Sequence, residues 1–185
     1  MTRRNDENFA GKLAVTFAVS ALAFSVSGGA EERQSAYTMT AITNASYGER
    51  VTRGEYEYAI EKITAPDYNK KGSFESAVNL CVAYTKIGAL ESAQLNCDAA
   101  ISKVRERMKG GSAFMLSQLP GYSSPERDLA VALSNRGVLR AVSGDLELAR
   151  QDFAEAVKLE TTLDAPGINL ARLEMDGIAE TYSAN

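Results

Sequence analysis

The chain is 185 residues long, 45% hydrophobic and 24% charged, enough for one domain that buries a real core. A formal charge of −4 offers no electrostatic case for nucleic acid, which calls for a basic face. Histidine is absent, and with it go the one side chain that titrates unperturbed near neutral pH and the commonest metal ligand. No glycine-rich phosphate loop, metal-ligand cluster or nucleophile with a histidine base is present, so the expectation is a non-enzymatic protein with no cofactor.

Residues 1–30 read as a secretory signal peptide. Arg3, Arg4 and Lys12 precede an apolar run from Leu13 to Val26, which ends in Ser27-Gly28-Gly29-Ala30. That run is shorter than the roughly 20 residues a membrane-spanning helix needs, so cleavage after Ala30 is expected rather than an uncleaved anchor. No membrane span is then expected after cleavage, and the mature chain would be periplasmic or secreted. Residues 31–45 are polar and carry no helical period; they predict a flexible linker with a short extended piece at Tyr37–Ile42.

Helical spacing begins in a half-unit, 47–63, where Tyr56, Ala59, Ile60 and Ile63 share a stripe that Pro66 brings to an end. Ser73 is a suitable N-cap for the next helix, in which Ala77, Leu80, Cys81 and Tyr84 recur at helical intervals up to Gly88. Ala93, Cys97, Ala100, Ile101 and Val104 mark a returning helix, completing a unit at 74–107. An insertion, 108–123, follows and is rich in Phe114, Met115, Leu116 and Leu119. It either folds back on the hairpin as a short helix or forms a flap that contacts a ligand. Ser124-Pro125-Glu126 opens a second unit at 125–163, with stripes Leu129, Leu133, Gly137 and Leu146, Ala149, Phe153, Ala156 on either side of Gly144. A capping helix at 168–181 ends the domain, which as a whole spans 46–185.

These elements share a period. Gly54 to Ala59 aligns with Gly88 to Ala93, thirty-four residues on, and with Gly144 to Ala149 beyond the insertion; Asn135 and Asn169 are again thirty-four apart. The pattern resembles the tetratricopeptide repeat, a pair of helices with small residues at fixed places. Ala77, Leu80, Cys81, Tyr84, Ala93, Cys97 and Ala100 match in the first unit, and Leu133, Arg136, Gly137, Arg140, Ala149, Phe153 and Ala156 in the second. Tryptophan is missing, Arg140 stands where an aromatic is usual, and Thr161 replaces a closing proline.

The resemblance implies an all-α superhelix of helix hairpins, an α-solenoid, with Gly88, Ala93, Gly137, Gly144, Ala149, Phe153 and Ala156 as packing positions. It also implies a concave face that binds an extended peptide or partner helix, carrying Asn79, Val82, Lys86, Asn135, Val138 and Asn169. An asparagine amide can donate to and accept from a peptide backbone at once, or bond between helices within the stack; both roles stay open here. Cys81 and Cys97 fall on facing helices of one hairpin, either as a disulfide or as two small buried thiols. The leading functional expectation is a protein- or peptide-binding module of the bacterial envelope or secreted space. An accessory subunit of an envelope enzyme, or a small-molecule or lipid carrier using the insertion, are the alternatives, and exposed end faces would allow homo-oligomers.

Overall fold

The computed structural model describes residues 36–109 and 123–183, so the expected signal peptide and most of the insertion lie outside the described residues. The described residues form an all-α fold without strands. Seven helices follow one another: α1 Gly48–Thr52, α2 Tyr56–Thr64, α3 Phe74–Lys86, α4 Leu90–Lys109, α5 Pro125–Ser143, α6 Leu146–Leu159 and α7 Asp164–Ser183. Ser73 and Ser124 cap α3 and α5 as expected, their hydroxyls accepting the amides of Ser76 and Arg127 at 3.1 Å.

The repeated glycines make one turn three times over. Gly54, Gly88 and Gly144 have φ of 80°, 75° and 90°, a left-handed region closed at low cost only to a residue without Cβ. The amide after each glycine donates back to the carbonyl four residues before that glycine: Glu55 to Arg50 at 2.9 Å, Ala89 to Tyr84 at 2.9 Å and Asp145 to Arg140 at 2.8 Å. The same three residues then accept from Ala59, Ala93 and Ala149, and all three alanines are fully buried. Residues 47–63 are therefore not a lone returning helix. They hold a whole hairpin whose first helix is a five-residue turn. The last helix starts at Asp164, earlier than the expected 168, because Pro166 sits in its first turn, where a missing amide hydrogen is tolerated.

Helices pack as α1/α2, α3/α4 and α5/α6 hairpins, with α1, α3, α5 and α7 in successive contact on one side of the molecule. Val78, Val104 and Leu133 centre one core cluster, and Val138, Phe153 and Leu173 another. The closest approach is at Gly137. A Cβ there would lie 2.5 Å from the Phe153 ring, which is completely enclosed and cannot swing away. We expect Gly137→Ala to destabilise the protein by about 1–3 kcal/mol through overpacking, read as a lower urea midpoint at unchanged slope. An unchanged midpoint would mean that α5 and α6 are free to separate.

Cys81 on α3 and Cys97 on α4 stand at disulfide distance, with Cα atoms 4.8 Å apart and both side chains buried. The loop they close spans 16 residues, which the chain-entropy argument equates with roughly 3 kcal/mol. Replacing both with alanine is expected to lower unfolding stability by about that amount. Denaturing thiol titration of protein from an oxidising compartment should find no free thiol, and two free thiols would refute the bond.

Arg140, at a position where the repeat pattern leads one to expect an aromatic, has its own explanation. Arg136 and Arg140 both reach Asp152 of α6, with N–O distances of 2.8 Å to its two carboxylate oxygens, and Arg136 continues to Asp98 of α4 at 2.9 Å. The Asp152 side chain is only 3% exposed. Burial by itself would lower the Arg136 pKa, but its hydrogen bonds to Asp152 and Asp98 outweigh that and raise it. Helices α4, α5 and α6 thus meet at one charged joint.

Candidate functional site

The linker expected at 31–45 is corrected over its described part. Residues 36–47 lie across α7, α5 and α3 as a strap, held by the three asparagines singled out in the sequence. Thr38 N–H donates to Asn169 Oδ1 at 2.8 Å, and Asn169 Nδ2 donates to the Thr38 carbonyl at 2.7 Å. Thr40 and Asn135 repeat this pair at 2.8 Å in both directions. Ile42 N–H donates to Asn79 Oδ1 at 2.8 Å, and Asn79 Nδ2 approaches the carbonyls of Ile42, Ala45 and Ser46 at 3.0–3.1 Å. All three asparagines are buried.

This ladder follows from two periods meeting. An extended chain rises about 3.3 Å per residue, so every second residue advances roughly 6.6 Å. Neighbouring helices sit about 8–10 Å apart, and rotatable asparagine side chains absorb the difference. Helices α7 and α5 therefore each meet one amide and one carbonyl of an alternating chain, and α3 meets one amide and the carbonyls of the closing turn. The strap runs opposite to the order of the helices, its beginning on α7 and its end on α3.

Alternation sends the odd-numbered side chains of the strap the other way. Tyr37 stacks on Phe153 with ring centroids 6.2 Å apart, and its hydroxyl donates to Asp176 at 3.2 Å. Met39 joins three clusters: that of Phe153 and Val138, that of Val82 and Ala83, and that of Cys81 and Cys97. Ala41 packs with the second of these. Val82 and Val138, expected on a binding face, thus sit in clusters that the strap completes. Lys86 lies half-buried at the end of α3, where loss of solvation lowers its pKa.

A tight turn joins the strap to α1. Ser46 and Tyr47 have φ of 50° and 58°, and Ser46 Oγ is the acceptor for Ser76 Oγ at 3.1 Å. Gly48 leaves room for this turn. A Cβ at Gly48 would fall 1.8 Å from the Ile42 carbonyl oxygen, so any larger residue displaces the strap's end.

The asparagines thus bind the backbone of a segment of the same chain, where the sequence offered either a partner peptide or a neighbouring helix. Reasoning from sequence missed that the ligand was already present. The signal was there in Tyr37, Met39 and Ala41, apolar residues alternating with threonines in a polar stretch. Asp152 was also passed over, because a lone acid on a helix gives no sign of the two arginines that enclose it.

Among the described residues no group of three or more His, Cys, Asp or Glu is placed to hold a metal ion. Among them, too, no helix is long and apolar enough to cross a membrane. Compared with known protein families, curated proteins and solved structures, the chain shows no match.

Proposed function

We propose that this protein is a non-enzymatic interaction module of the cell envelope or secreted space, holding an extended protein segment across α3, α5 and α7. The observation that carries this reading is the asparagine ladder. Three buried amides pair with both backbone groups of every second residue, which recognises an extended chain without depending on its side chains. Apolar clusters beneath then select what the alternate side chains are. The resemblance to tetratricopeptide repeats points the same way, since such repeats bind peptides on the face made by their first helices. An export signal at 1–30 and a cysteine pair at bonding distance favour an oxidising compartment.

Site-specific photocrosslinking in the native envelope tests the proposal. A photoreactive residue at Lys86, beside the strap-bearing face, should give a discrete covalent adduct, while one at exposed Leu95 on α4 should not. Adducts from Leu95 alone, or equal labelling from both positions, would overturn it.

A further inference from the structure

We propose that the strap exchanges between copies of this chain, so that residues 36–42 of one copy are held by Asn79, Asn135 and Asn169 of another. The proposal rests on the reading of the α3, α5 and α7 face as a peptide-holding surface, and it names the occupant. That occupant is fitted already: an extended segment with Tyr, Met and Ala at alternate inward places, whose Tyr hydroxyl finds Asp176. A second copy offers the identical segment, so the hydrogen bonds of Thr38, Thr40 and Ile42 and the packing of Tyr37, Met39 and Ala41 broken on opening form again on exchange.

The joint provides the reason to open. Between Ile42, which is held by Asn79, and helix α1 lies a turn of five residues, 43–47. Its last two, Ser46 and Tyr47, are both non-glycine residues in the left-handed region, a conformation that L side chains adopt only at a cost. Straightening the turn relieves that cost and hands the Ala45 and Gly48 amides from the Ile42 and Ala45 carbonyls to water. Short strained hinges of this kind favour swapping, and reciprocal exchange closes a symmetric pair.

Tethering sets the concentration scale. A segment on a short linker acts at an effective concentration in the millimolar range. Free strap peptide at micromolar levels is therefore outcompeted about a thousandfold, whereas reciprocal exchange gives each copy a tethered strap again. The proposal predicts a monomer–dimer equilibrium that moves toward dimer between roughly 10 µM and 1 mM.

Two variants of the full chain test it. With a photoreactive phenylalanine at position 37, illumination should give a covalent dimer whose share rises with protein concentration, crosslinked from strap to the α6 and α7 region. Crosslinks confined to single chains up to 1 mM would overturn the exchange. Deleting Asn44 and Ala45 leaves too little chain for the strap to return to its own face, and light scattering should then report twice the monomer mass. A folded monomer with Thr38 and Thr40 amides still protected would also overturn it; should that variant fail to fold, the photocrosslink on the intact-length chain remains decisive. A heterologous adduct from Lys86 in the envelope, without any dimer here, would defeat exchange yet leave the interaction-module reading standing.

Discussion

Asp152→Ala is expected to destabilise the protein by about 3–5 kcal/mol, among the largest losses a single substitution in this chain can cause. Asp152 is nearly enclosed and receives two guanidinium groups, so its removal leaves Arg136 and Arg140 one turn apart on the same face of α5 without the carboxylate they share. Asp98 can compensate only in part, since of the two arginines it reaches Arg136 alone and it is half exposed. The loss measures the unpaired charges rather than the net value of the bridge, which desolvation had already reduced. Replacing Arg136, Arg140 and Asp152 together by apolar residues of similar volume should therefore cost far less than Asp152→Ala. A chain of this size should melt on the order of 10 °C lower in the single variant. The loss should persist at high salt, because buried pairs are poorly screened. A drop of under 1 kcal/mol, or one abolished by salt, would place the cluster at the surface in solution.

Asn135→Ala should cost about 2–4 kcal/mol, from leaving the Thr40 amide and carbonyl without partners. Asn135 is the middle rung, flanked by Met39, so its loss loosens the strap where three clusters converge. Asn135→Asp is a sharper probe. The carboxylate still accepts from the Thr40 amide but faces the Thr40 carbonyl with no hydrogen to offer, and it brings a charge into a buried site. Amide hydrogen exchange separates a local effect from a global one. Faster exchange at Thr38, Thr40 and Ile42 with helical amides unchanged means strap release. Uniformly faster exchange means that the strap is part of the cooperative core. Unaltered exchange at all three would remove the ladder from the account.

Most of the helical scaffold could be read from residue types because its causes are local. A glycine that ends a helix, a serine that caps one and an alanine at a helix crossing each act through neighbours a few residues away. The three superimposable turns at Gly54, Gly88 and Gly144 are the product. The short α1 escaped notice because five residues give too little periodicity to separate from the helix after it. Likewise Arg140 looked like a departure from a pattern, when its partner lay on a different helix.

Composition and spacing alone determined that this chain forms helical hairpins, where they turn, and which asparagines face a common surface. Only the tertiary structure decided what that surface holds. Thr38 and Asn169 are 131 residues apart in sequence, and Thr40 and Asn135 are 95 apart. A threonine-rich stretch looks like solvated linker until a row of helices presents an amide to every second residue. Backbone groups carry no sequence signature, so a segment recognised mainly through its backbone stays hidden until its receptor has folded.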